Sequence, residues 1–199
     1  MEMQNKYYLM RHGESLANKL GLIVSHPNNA IENYGLTVRG ADQVTSAALS
    51  TRLGVNTLIV TSDYKRAIDT AEIVHSVIGC NEDLIVEPLL RERNFGRLEL
   101  TEHTNYEQVW EHDAARPNVR KNDVELIDEV LNRGMKSIIK LEEAYHGRKI
   151  LMVGHGDVMQ IILSHFQGIH PRFHRTISSM ANADIRSISG TNIVRSPAA

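Results

Sequence analysis

The stretch KYYLMRHGES, residues 6–15, decides how this chain folds. Its first half is a short apolar run of the kind that forms a buried strand, and it ends abruptly at Arg11, His12 and Gly13. The residues that follow, 14–20, can turn helical. This succession predicts a strand, a tight polar turn and a helix, with an arginine and a histidine at the carboxyl end of the strand.

The same unit of strand, polar turn and helix recurs along the chain. Residues 57–60 are a β-branched apolar run, and the polar residues 61–63 are expected to cap a helix that ends near residue 77. Residues 149–153 are another apolar run, and residues 154–157, Gly-His-Gly-Asp, open a further helix. This alternation predicts an α/β fold, a three-layer α/β/α sandwich with a mostly parallel central sheet.

Further elements lie between these units. They are a helix capped by Thr37 and ending around Gly54, a short strand at 84–86, a long helix at 123–145 and a last strand near 183–188. The polar stretch 97–122 interrupts the alternation. We therefore expect a single domain, residues 1–199, with a cap-like insertion around 97–122.

Composition excludes several classes of protein. The 199 residues carry 22 Lys and Arg against 24 Asp and Glu, a net charge of −2 that lacks the basic excess of a nucleic-acid binder. A hydrophobic content of 42% argues against disorder. No signal peptide or membrane span is apparent, and the single cysteine, Cys80, favours a reducing compartment. We expect a cytoplasmic protein without nucleic-acid or membrane partners.

Polar turns at the carboxyl ends of parallel strands meet at one edge of the sheet, where such folds bind ligands. Three of these turns carry Arg11, His12, Arg66 and His155. Arginine forks beside helix N-termini favour a phosphoryl group, because both offer N–H donors to its oxygens. The neighbouring cations should keep His12 neutral and nucleophilic, with its other ring nitrogen held by a backbone carbonyl.

This cluster predicts phosphoryl transfer through a covalent phosphohistidine. His12 would attack phosphorus in line, while the two arginines and His155 stabilise the equatorial charge. The leaving alkoxide needs a proton, and Glu92, within the charged segment 90–96, is the expected general acid and later the base that activates water. The scheme requires neither a metal nor a cofactor.

Several motifs follow one another between positions 9 and 156. They are LMRHGES at 9–15 with Asn18, LTVRG at 36–40 with Gln43, Ser62 with RA at 66–67 and TA at 70–71, LRERNFG at 90–96, and VGHG at 153–156. In this order they resemble the histidine phosphatase superfamily, which includes cofactor-dependent phosphoglycerate mutases and fructose-2,6-bisphosphatases. The resemblance implies a phosphoglycerate mutase-like fold.

The resemblance also implies roles for individual residues. His12 would form the phosphohistidine and Glu92 would be the proton donor. The phosphate would be held by Arg11, Asn18, Arg66, His155 and the backbone of Gly156. Phe95 stands where the mutase pattern often has tyrosine, Leu100 replaces a common glycine, and the stretch between positions 92 and 155 is short. These departures favour a phosphatase over a mutase.

Other polar residues leave alternatives open. Arg93 is predicted to bind substrate, the alternative being an ion pair with an acidic neighbour. The basic cluster of Arg116, Arg120 and Lys121 either holds a second anionic group of the substrate or is simply solvated. His170 and His174 have the spacing of a helical metal pair, but a proline lies between them, so no metal site is predicted.

The leading hypothesis is a metal-independent phosphatase that acts on a small phosphorylated metabolite and releases inorganic phosphate, as a monomer or a homodimer. Three alternatives remain. They are a cofactor-dependent phosphoglycerate mutase, a phosphohistidine-protein phosphatase and a catalytically silent module that binds a phosphorylated partner. The complete set of His12, Arg66, Glu92 and His155 argues against the silent module.

Overall fold

The computed structural model describes residues 2–188 and contains one five-stranded sheet in the order β3-β2-β4-β1-β5. The strands are β1 (Lys6–Arg11), β2 (Leu58–Thr61), β3 (Ile85–Val86), β4 (Lys149–Gly154) and β5 (Ile185–Ile188). Neighbours are parallel except at the edge, where β5 runs antiparallel to β1. The predicted α/β fold with a mostly parallel sheet is confirmed.

Helices connect these strands. They are α1 (Leu16–Leu20), α2 (Pro27–Ala30), α3 (Val38–Ser50), α4 (Lys65–Val77), α5 (Asn105–Ala115), α6 (Ile127–Ala144) and α7 (Gly156–Phe166), with short 3-10 helices at Pro88–Leu90, Gly96–Leu98 and Pro171–Thr176. Thr37 caps α3 as predicted, since its hydroxyl accepts the Gly40 N–H at 3.0 Å.

The sheet separates two apolar cores. Side chains alternate along a strand, so Ile150 and Met152 of β4 pack on one face with α6 and α7. Leu151 and Val153 pack on the other face with α3 and α4. Helices cover both faces of the sheet, which explains why the strand sequences are continuous apolar runs. The predicted three-layer arrangement is confirmed.

Two predicted helix starts are wrong by a few residues. The long helix was expected from residue 123, but Asn122 and Asp123 have φ of +54° and +58°, which a right-handed helix cannot include, and α6 begins at Ile127. The residues 61–63 do not cap α4, whose N-cap is Tyr64 without a side-chain hydrogen bond. Instead, Ser62 contacts His155 and Asp63 pairs with Arg91.

The predicted insertion at 97–122 contains α5, which packs against the 3-10 helix Pro171–Thr176. The expectation of a single domain over residues 1–199 includes positions 1 and 189–199, which lie outside the described residues. Between residues 2 and 188, no helix has the length and apolar character needed to cross a membrane.

Candidate active site

The turn after β1 fixes the orientation of His12. Its backbone N–H donates to Gly154 O at 2.9 Å, which extends the pairing of β1 with β4 by one residue. The ring nitrogen Nδ1 lies 2.7 Å from Gly13 O. Because a carbonyl oxygen only accepts, Nδ1 carries the proton and Nε2 keeps its lone pair. The predicted backbone contact of His12 is thus present.

Two glycines let this turn approach α3. A Cβ atom on Gly13 would lie 2.5 Å from Gly40 O, and a Cβ atom on Gly40 would lie 2.0 Å from Glu14 O. Both distances are far below van der Waals contact, so neither position has room for a side chain. The close approach holds the backbone around His12 against the start of a packed helix.

Arg66 meets His12 from the first turn of α4. Its Nε donates to His12 Nε2 at 3.1 Å, and its Nη2 donates to Val24 O at 2.9 Å. Burial and the positive charges of Arg66 and Arg11 hold the pKa of His12 well below its usual value. The imidazole is therefore neutral at pH 7, with its nucleophilic nitrogen beside a guanidinium group.

His155 and Arg11 complete the cluster, and burial together with the charge of Arg66 holds the pKa of His155 well below its usual value. The His155 ring centroid lies 5.3 Å from that of His12, and His155 Nε2 lies 2.9 Å from Ser62 Oγ. Arg11 Nη1 donates to Met180 O at 2.8 Å. Three buried nitrogens, Arg11 Nε, Arg66 Nη1 and His155 Nδ1, have no hydrogen-bond partner among residues 2–188. Such groups are rare in folded proteins, and here they mark a place for an anion.

These residues surround a cavity of about 290 Å³. Its wall includes six of the predicted site residues, Arg11, His12, Asn18, Arg66, Glu92 and Gly156. His155 is fully buried beside His12. Gly156 lies so close to Arg11 that a Cβ atom there would be 3.3 Å from the guanidinium Nε. The structure thus gathers the three turns as the topology predicts.

Glu92 lies in the cavity wall with little exposure to solvent. Its Oε1 accepts the backbone N–H of Arg93 at 2.9 Å. Burial, together with the nearby carboxylate of Asp157, raises the pKa of Glu92 to about 7, although Arg66 acts in the opposite direction. A carboxyl group with this pKa exchanges protons readily near neutral pH, as a general acid and base must.

Arg93 is not part of the cavity wall. Its side chain is 1% exposed and bridges Asp113 of α5 at 2.6 Å and Asp157 of α7 at 3.3 Å. Its Nε donates to Glu125 O at 2.8 Å. Because these buried partners occupy the guanidinium, the structure places Arg93 in the ion pair that was the alternative to substrate binding.

Replacing Arg93 with methionine is expected to reduce the free energy of unfolding by about 3–5 kcal/mol, because two buried carboxylates would lose their cation. The matched control is Arg97→Met, since the Arg97–Asp123 pair is exposed and is expected to contribute less than about 1 kcal/mol. Urea unfolding measures both changes. Similar losses in the two variants would contradict the assignment.

Sequence reasoning missed part of the cavity wall. The missed residues include His103, Tyr106, Trp110, Asp157, Gln160 and Arg175. Tyr106 and Trp110 are four residues apart on α5, a spacing that puts both on one helix face and was the available signal. The two rings are stacked with centroids 5.5 Å apart. Trp110 Nε1 donates to Asp157 Oδ1 at 2.9 Å, which joins α5 to the start of α7.

The basic cluster of the insertion lies outside this cavity, since none of Arg116, Arg120 and Lys121 lines it. Arg120 pairs with Glu129 instead. The His170–His174 spacing does not form a metal pair either, because His174 contacts Pro171 O and Asp157. Across residues 2–188, no three His, Cys, Asp or Glu side chains are grouped so that they could hold a metal ion.

Several known proteins are similar to this chain in sequence or in fold. A probable phosphoglycerate mutase, GpmB, of Photorhabdus laumondii is 30% identical over 175 residues, which cover 85% of this chain and 78% of the relative. A mycobacterial glucosyl-3-phosphoglycerate phosphatase in complex with VO3 superposes with a TM-score of 0.77 at 22% identity, covering 94% of this chain and 91% of that one. An alpha-ribazole phosphatase of Shigella flexneri gives 0.73 at 24% identity, with 92% and 89% covered.

The two solved structures are less than 25% identical to this chain, so they establish the fold alone. The family follows from a sequence model, that of the histidine phosphatase superfamily (branch 1), which matches residues 7–193. That match spans the turns of Arg11 and His12, of Arg66, of Glu92 and of His155, all of which meet at one cavity. The chain belongs to the histidine phosphatase superfamily.

Proposed function

We propose that this protein is a metal-independent phosphatase that hydrolyses a small phosphomonoester through a phosphohistidine at His12. One observation carries the proposal. The unprotonated Nε2 of His12 faces the guanidinium of Arg66 within the same cavity as Glu92. A nucleophile, a cation for the phosphoryl oxygens and a proton donor are therefore within one cavity.

In the first half-reaction, the Nε2 lone pair of His12 attacks phosphorus and the P–O bond to the leaving group breaks. Glu92 gives its proton to the departing oxygen, so the product is a neutral alcohol. Arg11, Arg66 and His155 supply the unpartnered nitrogens that surround His12, and these stabilise the charge on the equatorial oxygens. Asn18 and the backbone of Gly156 are further contacts for the phosphoryl group in the cavity wall.

In the second half-reaction, the Glu92 carboxylate takes a proton from a water molecule. The water oxygen attacks phosphorus, the P–N bond breaks, and the electron pair returns to His12 Nε2. Inorganic phosphate leaves, and Glu92 is again protonated for the next cycle. The pKa of about 7 suits both roles, because neither protonation state of the carboxyl group is strongly disfavoured at neutral pH.

The substrate class proposed is a small phosphorylated metabolite, since a cavity of about 290 Å³ holds a compact molecule. The cellular location proposed is the cytoplasm, which is consistent with the single, unpaired and buried Cys80. The oligomeric state proposed is a monomer or a homodimer.

Hydrolysis of p-nitrophenyl phosphate is expected to continue in the presence of excess EDTA, because the proposed steps use only protein groups. Release of p-nitrophenolate is followed by absorbance, with and without EDTA and with Mg²⁺ added back. Loss of turnover in EDTA that Mg²⁺ restores would contradict the metal-independent scheme.

A phosphoglycerate mutase is the second candidate, and the name of the GpmB relatives is the observation that favours it. The two activities differ in the fate of the phosphoryl group. Incubation with 3-phosphoglycerate should release inorganic phosphate if the protein is a phosphatase. Formation of 2-phosphoglycerate without phosphate release would identify a mutase instead.

A further inference from the structure

The cavity wall contains a third arginine that the proposed chemistry does not use. Eight arginines among residues 2–188 pair with a carboxylate, at positions 39, 91, 93, 97, 120, 133, 148 and 186. The other six form no such pair with any described residue. Three of these, Arg52, Arg116 and Arg172, lie outside the wall, and three, Arg11, Arg66 and Arg175, lie in it. Arg11 and Arg66 lie beside His12, where they match the two charges of a phosphoryl dianion. The positive charge of Arg175 is then not matched by any charge of the phosphoryl group.

Arg175 is held in place by Trp110 and Gln160, and these three residues form what we call the Arg175–Trp110–Gln160 platform. Its guanidinium carbon lies 3.8 Å from the centroid of the Trp110 ring, which is a close cation–π contact. Its Nη1 donates to Gln160 Oε1 at 2.9 Å. Gln160 is buried, and its own amide donates to the carbonyl of His174 at 2.8 Å, so the acceptor is fixed as well. Arg175 Nε and Nη2 have no partner among the residues that the structure describes.

Asp157, the carboxylate that Trp110 contacts, is already engaged. Asp157 Oδ1 accepts from Trp110 and contacts His174, while Oδ2 contacts Arg93. Arg175 therefore acts on Asp157 only through space. The Arg175 side chain is exposed and lines the cavity. Because its guanidinium keeps a full charge and two donors that no described residue occupies, it can bind an anion that comes from outside the chain.

We infer that Arg175 binds a second anionic group on the leaving-group side of the substrate, a carboxylate or another phosphoryl group. The inference rests on the proposed phosphatase function and makes it more specific. His12 and its cations would hold the transferred phosphoryl group, and the Arg175–Trp110–Gln160 platform would hold the acidic end. The preferred substrates are thus phosphomonoesters whose leaving group is itself an anion.

Matched pairs of esters test this inference. 3-Phosphoglycerate and glycerol 3-phosphate have the same carbon chain but differ in a carboxylate, and fructose 1,6-bisphosphate and fructose 6-phosphate differ in a phosphoryl group. The wild-type protein is expected to have a higher kcat/KM for the anionic member of at least one pair. The pair that shows the preference distinguishes a carboxylate from a phosphoryl group.

Arg175→Met retains the side-chain stem over Trp110 and removes the charge. This variant is expected to reduce the preference, measured as the ratio of kcat/KM within the pair, about 10- to 100-fold, the effect of losing a hydrogen bond between charged groups. Arg116→Met is the matched control, because Arg116 is exposed and lies outside the cavity. It is expected to retain the wild-type ratio.

A wild-type ratio near one in both pairs, or an unchanged ratio in Arg175→Met, would overturn the inference while hydrolysis of p-nitrophenyl phosphate upheld the proposed function. A binding measurement tests the Arg175 contact separately from the proposed phosphatase activity. Calorimetric titration of His12→Ala with 3-phosphoglycerate and glycerol 3-phosphate needs no turnover. Weaker binding of the carboxylate in His12→Ala/Arg175→Met would support the Arg175 contact even if no ester were hydrolysed, and equal binding would exclude it.

Discussion

Replacing His12 with alanine is expected to reduce phosphomonoester hydrolysis about 10⁴-fold or more, the scale found when a covalent nucleophile is removed from an enzyme. The His12 imidazole is held by the Gly13 carbonyl and by Arg66, with Nε2 as its unprotonated nitrogen. The remaining arginines would still bind the phosphoryl group. We therefore expect kcat to fall much more than the affinity for the ester.

The same variant tests the covalent intermediate directly. Brief incubation of the wild-type protein with a ³²P-labelled ester, followed by a quench in alkali, should leave label that is stable to base and lost in acid, as a P–N bond requires. His12→Ala should not be labelled. His146→Ala is the control, because His146 is exposed and lies on the turn before β4, at the opposite end of that strand from His155. Labelling of His12→Ala at the wild-type level would exclude the proposed nucleophile.

Replacing Glu92 with glutamine is expected to affect esters according to their leaving groups. Glycerol 3-phosphate has a poor leaving group, and its kcat/KM should fall about 10²- to 10⁴-fold, the usual contribution of a general acid. p-Nitrophenolate leaves without a proton, so the fall for p-nitrophenyl phosphate should be less than about tenfold. Equal losses for the two esters would show that Glu92 does not protonate the leaving group.

The pH dependence follows from the raised pKa of Glu92. Only the protonated carboxyl group can donate to the leaving oxygen, so kcat/KM for an alkyl ester should decline as pH rises through about 7. His12 adds no limb in this range, because its pKa lies well below the usual value and the ring is already neutral. In Glu92→Gln the decline above pH 7 should disappear, which a pH series of kcat/KM will show.

The catalytic edge of the sheet could be predicted because it depends on local pattern and on topology. Apolar runs at 6–10, 57–60 and 149–153 each end in a polar turn, and parallel strands bring such turns together. The structure accordingly places Arg66 within hydrogen-bond distance of His12 and His155 in ring contact with it. Their proposed chemical roles stay predictions until the variants are measured.

The far wall of the cavity could not be predicted in the same way, because it depends on contacts between distant segments. Trp110 reaches Asp157 across 47 positions, and Arg93 reaches Asp157 across 64. No periodicity encodes which of several carboxylates a buried arginine will meet. Arg175 lies on the 3-10 helix that begins at Pro171. The spacing of His170 and His174 in this segment is typical of a metal pair, whereas nothing in the local sequence pattern distinguishes Arg175.

The buried bridge from Arg93 to Asp113 and Asp157 has a consequence for motion. It ties the insertion helix α5 to α7, whose first residues follow His155, and separating the two would leave charges unpaired in an apolar interior. Opening of α5 away from α7 would therefore cost about 3–5 kcal/mol. The two segments are expected to exchange their amide hydrogens as one cooperative unit, so substrate enters a cavity whose walls do not swing apart.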